Sequence, residues 1–281
     1  MALQTKIYQK ENNLRLGKLI GESMRDMYAS RFLAKQLAVR DIKGQYRQSY
    51  LGLVWAFITP LATAAIWIFL NSSGTLRISD TGIPYPVFAF SGTLLWSIIT
   101  ESINAPMNNT NSARNILSKI NFPKEALIIT GLYKLLFNSA VKVLLLIVFV
   151  FAFGVGFHWT LLLFPFILLA AVLFGTTIGL FLTPLGMLYT DVNRTIGFVL
   201  RFVMYATPVV YAVPNDGILK WIMELNPITP LVTIARDALV GGDFHYLLYF
   251  SIVVAVCIPL FFIAMVIYRI SIPIIVERLS A

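Results

Sequence analysis

The 281-residue chain is poor in most of what a soluble catalyst uses. It has one cysteine and two histidines, and charged residues make up only 12% of it. A typical soluble domain carries about twice that share of charge. The single thiol, Cys257, lies in an apolar run and has no partner for an internal disulfide, so oxidised cross-links play no part. His158 and His245 stand far apart near the ends of apolar runs, where an interfacial position explains them better than a metal site does. No G-x-x-x-x-G-K-[ST], H-E-x-x-H or C-x-x-C occurs, and the one Gly-Lys, Gly17-Lys18, has no phosphate loop before it. The opening MALQTKIYQKENNLRL lacks a short apolar core ahead of a small-residue site, so no removable signal peptide is expected. Together these absences exclude a soluble globular enzyme, a secreted disulfide scaffold and a disordered tail protein. No cofactor or metal site is expected on this chain.

What the chain has instead is hydrophobicity, at 58% of its residues. About 20 mostly apolar residues cross ~30 Å of hydrocarbon as a helix. Such runs occur at Leu53–Leu70, Tyr85–Ala105, Ala126–Phe153, Leu161–Leu188, Ile196–Val213 and Leu247–Ile270. The expected fold is therefore an all-α integral membrane protein of six spans over 53–270, with a 1–52 N-terminal segment and a 271–281 tail. An even count puts both termini on one side. Segments on that side carry 16 Lys and Arg, 10 of them in residues 1–52, while the opposite loops carry Arg77, Lys220 and Arg236. The bias predicts cytoplasmic termini. The net charge of +9 then reflects topology and an anionic inner leaflet rather than nucleic-acid binding.

Three polar segments stand out. Along Arg31–Arg47, Leu33, Ala34, Leu37, Ala38 and Ile42 fall on one side of a helical wheel, and Lys35, Arg40, Lys43 and Arg47 on the other. Asp41 intrudes on the apolar side. This predicts an amphipathic helix in the membrane interface, as a simple anchor or as something more. Gly44, Gly52 and Gln48–Ser49 provide a bend after it. Between spans two and three, Asn108–Ser112 reads as loop, Ser112–Lys119 as a short helix and Asn121–Pro123 as its stop. That helix is a docking element or a connector. Near the far end, residues 217–245 carry two short helical patterns split by Asn226-Pro227 and Pro230, with Gly241-Gly242 as terminator. Each half is too short to span, so a re-entrant hairpin is expected.

Charges inside spans are the default functional hypothesis. Glu101, Lys134 and Arg201 are expected at similar depth. They form either a structural cluster, with Glu101 neutralising one cation, or a cationic site for an anionic headgroup. Arg40 and Arg47 are the corresponding candidates at the surface. Lys142 lies deeper and needs no special role. Most aromatics sit at span ends as an interfacial belt. Phe57, Phe88, Phe90, Phe202 and Tyr205 lie within spans one, two and five, where ring faces could line a passage for sugars.

Four segments, taken in order, resemble one family. RDIKGQYRQSYLGLVWAFITPL (Arg40–Leu61), NILSKINFPKEAL (Asn115–Leu127), DVNRTIGFVLRFVMYATPVVYAV (Asp191–Val213) and LNPITPLVTIARDALVGG (Leu225–Gly242) are similar to ABC-2 type permeases that export O-antigen, capsule polysaccharide and teichoic acid. Arg201 departs from the family pattern, which has an uncharged polar residue there. The resemblance implies a homodimer in the bacterial inner membrane with two copies of a separate ATPase chain, which would hold the ATP and Mg. It implies a lipid-linked polysaccharide substrate, most simply O-antigen, moved outward. It also makes Arg114, Ile116, Lys119 and Phe122 the expected ATPase-coupling residues, with the 31–47 helix as a second contact. Asn226, Pro227 and Pro230 become the expected outer gate. An exporter of drugs or simple lipids is the nearest alternative. A membrane-embedded glycan-modifying enzyme would need an acid/base constellation that two distant histidines and scattered carboxylates do not supply.

Overall fold

Long apolar runs become long helices here, because a helix satisfies its own backbone polar groups where water is absent. In a computed structural model, which describes residues 16–47, 50–74, 82–117, 119–120 and 122–280, every regular element is helical. Helices α1 (Leu16–Ala29) and α2 (Arg31–Arg47) precede α3 (Trp55–Ser72) and α4 (Tyr85–Ser112). The single turn α5 (Arg114–Leu117) leads to α6 (Glu125–Ala152) and α7 (Phe164–Leu188). The chain closes with α8 (Thr190–Tyr205), the short pair α9 (Ile218–Leu225) and α10 (Ile228–Val240), and α11 (Leu247–Ser280). Five of these, α3, α4, α6, α7 with the turn before it, and α11, are long and apolar enough to cross a membrane. The Gln48–Ser49 bend, Arg77 and Asn121 lie outside the described residues.

Helix α4 is the centre of the bundle. It packs most closely on α7, where Gly175 and Gly179 form a small-residue step. A Cβ at Gly175 would stand 2.5 Å from the Ser102 Cβ, and one at Gly179 2.3 Å from the Ile103 carbonyl oxygen. Only glycine permits that approach, and in lipid such close packing holds helices together. The main core gathers Phe90, Leu94, Ile98 and Ile99 of α4 with Ala171 and Phe174 of α7 and Leu231 and Ala235 of α10. A second cluster joins Leu127 and Ile128 of α6 to Leu180, Met265, Tyr268 and Ile272.

Several boundaries depart from expectation. Asn108–Ser112 is not loop but the last helical turn of α4. Three of its polar side chains bond back to the helix: Thr110 donates to the Pro106 carbonyl and meets the Tyr268 hydroxyl at 2.9 Å, Asn109 donates to the Ala105 carbonyl, and Ser112 to that of Asn108. The short helix after it shrinks to Arg114–Leu117. The run expected at Ile196–Val213 is helical from Thr190 to Tyr205 only. Pro208 and Pro214 lack an N–H and bias the residue before them away from α geometry, so 206–217 is irregular. Pro230 breaks nothing, since it lies in the first turn of α10, where no N–H is needed. Gly241 does end α10, in the left-handed conformation. Helix α11 continues through Pro259 and Pro273 to Ser280, so the tail expected from residue 271 prolongs the last helix.

The two N-terminal helices are tied to the bundle. Helix α2 lays Ala34 and Ala38 against α6, where the Thr130 hydroxyl reaches the Ala34 carbonyl at 3.4 Å. Helix α1 was not expected at all. It is anchored by Arg269 of α11, whose guanidinium binds Asp26 at 2.7 Å, Glu22 at 3.6 Å and the buried Glu125 of α6. Ser23 donates to the same Glu125 at 3.1 Å.

At the other end of the bundle, Arg236 is buried, and among the described residues no carboxylate is bonded to it. Its guanidinium donates to the carbonyls of Val209 (2.9 Å), Pro208 (3.2 Å) and Phe88 (3.4 Å) and to the Ser91 hydroxyl (3.3 Å). It also lies 3.6 Å over the Phe88 ring. The carbonyls of 208 and 209 belong to the irregular stretch after α8, so the arginine replaces the partners a continued helix would have provided. Gly92 makes room for this, because a Cβ there would fall 1.8 Å from the Val209 oxygen.

Each carbonyl left buried and unpaired costs about 1–3 kcal/mol. Arg236→Met and Gly92→Ala should therefore each lower the thermal unfolding midpoint of the detergent-purified protein by about 5 °C or more. Arg236→Lys, with three donors but no planar fork, should fall between them and wild type. Unchanged midpoints would show that the clamp is dispensable.

Candidate functional site

The polar residues of the long helices are not scattered. On α4, Thr93, Ser97 and Glu101 recur every four residues and Asn104 and Asn108 continue the line; on α6, Lys134, Asn138 and Lys142 do the same. Residues four apart share a helix face, so each set forms a stripe. The two stripes face each other across adjoining cavities of ≈ 400 and ≈ 310 Å³, which share Thr100, Glu101 and Asn138. The larger is walled on its far side by Trp55, Thr59 and Thr63 of α3, and the smaller reaches Lys134.

Both lysines of the groove reach a carboxylate. Lys142, 9% exposed, donates to Glu101 and to the Ser97 hydroxyl at 2.6 Å. Lys134 donates to Asn109 Oδ1 at 2.9 Å and to Asp41 of α2 at 3.4 Å, and Asp41 also takes Arg40 at 2.8 Å. A charge held among apolar helices is costly unless an opposite charge and further hydrogen bonds accompany it, and both pairs meet that condition. The groove is polar but nearly neutral.

This arrangement redistributes the expected site. Glu101 is a structural pair residue, but its partner is Lys142 rather than Arg201 or Lys134. Lys142 is thus central, against expectation. Arg201 lies on an exposed face of α8 beside Phe198, Phe202 and Tyr205. Phe57 is half-buried on α3. Phe88 and Phe90 are both buried within this chain, Phe88 beneath Arg236 at the edge of a ≈ 170 Å³ cavity and Phe90 stacked on Phe149 at 4.4 Å. Arg40 and Arg47 are exposed on α2.

In the segment after α4, Arg114 and Lys119 are exposed. Ile116 and Phe122 are half-buried and face a small recess with Leu37 and Leu127. Lys124 stands 5.3 Å over the Phe122 ring, and burial lowers its ammonium from the ordinary value against the raising effect of Glu125. At the α9–α10 break, Asn226 acts as a clasp. Its amide donates to the Ala206 carbonyl (2.9 Å) and the Thr207 hydroxyl (2.8 Å), and its oxygen caps the Ile228 N–H (2.9 Å). Pro227 is exposed and Pro230 buried. Among the described residues no three His, Cys, Asp or Glu side chains come together to hold a metal ion.

Sequence reasoning missed Lys142, Asn138 and Asp41 as site members and Arg236 as a buried group. The four-residue spacing of 93, 97 and 101 and of 134, 138 and 142 was the available signal. Asp41 was visible as the charge on the apolar side of its wheel.

Residues 33–240 match the ABC-2 type transporter family. An O-antigen export system permease protein RfbA of Myxococcus xanthus is 26% identical over 214 residues, covering 75% of this chain and 81% of that protein. Two such proteins of Klebsiella pneumoniae are 25% and 24% identical, over 75% and 74% of this chain and 83% and 80% of theirs.

A double-mutant cycle tests the paired groove. Glu101→Gln and Lys142→Met should each destabilise the purified protein, and the double variant should lose less than the two losses combined. The expected coupling is about 1–3 kcal/mol. Arg201→Ala, on an exposed face, should leave the midpoint unchanged. Additive losses at 101 and 142 would mean that the pair carries no energy.

Proposed function

The chain belongs to the ABC-2 type transporter family, and from that premise we propose that it is the permease subunit of an ATP-driven exporter of lipid-linked polysaccharide, O-antigen being the cargo its relatives' names point to. The reading includes six crossings, with α8 and the irregular stretch after it making the fifth. It includes an interfacial α2, both termini in the cytoplasm of a bacterial inner-membrane protein, and α9–α10 dipping into the outer leaflet as a gate clasped by Asn226. The charge bias of the loops supports that orientation.

The observation that carries the export reading is the exposed face of α8. Ile196 is the one buried residue of α8 and Ala64 that of α3, so both helices leave most of their surface uncovered by their own chain. The α8 face presents Arg194, Phe198, Arg201, Phe202 and Tyr205 in sequence, with Phe57 on α3 as a further ring. Both lysines of the inner groove reach a carboxylate, whereas these arginines have none among the ion pairs of the described residues. Two copies of the chain would bring such faces together and enclose a conduit. Aromatic rings would offer sugar C–H groups a surface with little directional grip, and arginine would engage the diphosphate of the lipid carrier in bidentate fashion.

Work would come from a separate ATPase, two copies per permease dimer, which would hold ATP and Mg²⁺. Arg114 and Lys119, exposed on the turn that follows the central helix, are placed to receive its stroke, while Ile116 and Phe122 brace that turn against α2 and α6. Arg40 and Arg47 on α2 flank the approach of an anionic headgroup. Because α4 carries both this turn and one wall of the groove, a push at 114–119 would act on the helix at the centre of the bundle.

Charge reversal tests the coupling. Arg114→Glu with Lys119→Glu should cut surface polysaccharide more than tenfold at normal permease abundance, weaken co-purification of the ATPase, and leave lipid-linked polymer on the cytoplasmic side. Full display with intact co-purification would contradict the coupling site. Full display in a strain lacking the permease would point to a small lipid or drug as cargo.

A further inference from the structure

The ≈ 400 Å³ cavity between α3, α4 and α6 belongs to one subunit and is separate from the exposed face of α8, although Met204 of that helix touches its rim. Its volume is in the range of small-molecule sites. Two indoles line it, Trp55 at the mouth and Trp96, itself 8% exposed, deeper in.

The polar groups of this cavity are mostly acceptors. The hydroxyls of Thr59, Thr63 and Thr93 donate to the carbonyls of Trp55 (3.0 Å), Thr59 (3.0 Å) and Ala89 (2.8 Å) of their own helices. Their protons are committed, so only lone pairs remain for a ligand. Glu101 lines both cavities with its side chain 39% exposed; its Oε1 accepts from Lys142 and keeps lone pairs for a ligand's donor, while Oε2 is shielded from solvent and out of a ligand's reach. The ammonium of Lys142 is already engaged by Glu101 and Ser97.

These features select the ligand. A phosphate brings acceptors to acceptors and meets a lysine whose charge is cancelled, so it is disfavoured. A polyhydroxylated, uncharged ring brings donors to Glu101 and the threonine lone pairs, and its C–H face matches an indole. The amide of Asn138 serves either kind of group. We propose that each permease subunit carries a saccharide subsite in this cavity, which takes neutral sugar rings of the glycan and continues through Thr100, Glu101 and Asn138 into the second cavity. The inference rests on the glycan-export reading and adds a site within each subunit, apart from the conduit between subunits.

The test is binding of a panel of neutral trisaccharides of glucose, mannose, galactose and N-acetylglucosamine to the full-length permease in nanodiscs, read by saturation-transfer NMR and calorimetry. Wild type should bind at least one of them saturably. Trp96→Leu, and the double variant Glu101→Gln with Lys142→Met, which leaves no buried charge unpaired, should each weaken binding at least tenfold. Gln45→Leu, at the exposed rim and harmless to folding, should weaken it two- to fivefold, and Trp159→Leu, outside the cavity, should bind as wild type does. Absence of saturable binding to wild type, or wild-type affinity in both the double variant and Gln45→Leu, would overturn the subsite. Loss of a co-purifying phospholipid from the double variant, with no trisaccharide binding to wild type, would overturn it in favour of a lipid headgroup. Export of lipid-linked glycan by a wild-type permease that binds no trisaccharide would defeat the subsite and leave the permease reading standing. Trisaccharide binding without any glycan export would do the reverse.

Discussion

One guanidinium stands where the helical solution to the membrane problem fails. A chain in lipid must satisfy its own backbone, and the long helices do so by their internal hydrogen bonds. After Tyr205 that solution ends, because Pro208 and Pro214 stop the helix and leave carbonyls at 208 and 209 without helical donors. Arg236 provides the donors from α10 and, through Phe88 and Ser91, ties the same stretch to the start of α4. Tyr85 adds a bond to the Val210 carbonyl at 3.1 Å, and Asn226 secures the residues just before. The α9–α10 pair keeps its position because this junction is closed.

The same constraint sorts the other charges. Those enclosed by helices are matched, Lys142 with Glu101 and Lys134 with Asp41, and Arg269 gathers three carboxylates to hold α1 onto α6 and α11. Those on α8 are turned outward among aromatic rings. A groove with balanced charge suits hydroxyl groups, while a face with unbalanced arginines suits phosphate. Under the proposed function the two surfaces would divide the chemistry of a lipid-linked glycan between them, the groove taking sugar and the α8 face the carrier headgroup.

Much of the architecture was legible because apolar run length decides a spanning helix almost alone. The Tyr85 start of α4, the Leu188 end of α7 and the Gly241 stop of α10 were all readable from composition, proline and glycine. The site was less legible, since a charge count does not say what a charge faces. Arg236 was counted with the loop cations, yet its partners are carbonyls, which every residue has and no sequence pattern marks. Lys142 was passed over by depth although its four-residue spacing from Asn138 and Lys134 placed it on the polar face. Arg201 was drawn inward because it lies in an apolar run, but α8 has apolar residues on both faces and hydropathy could not choose between them. Helix α1 was overlooked among charges, although Leu16, Leu19, Ile20, Ser23 and Met27 keep helical spacing.

The activity proposed for this chain is movement of a lipid-linked glycan across a membrane, driven by a partner ATPase. The most direct measurement uses proteoliposomes holding the purified permease, its ATPase and a polyprenyl-diphosphate-linked glycan with labelled sugars. Addition of ATP should move the sugars to the face opposite the ATPase, where a lectin added to that compartment binds them, with no movement when permease or ATP is omitted. Lectin access that is the same with and without the permease, or that ignores ATP, would contradict the account.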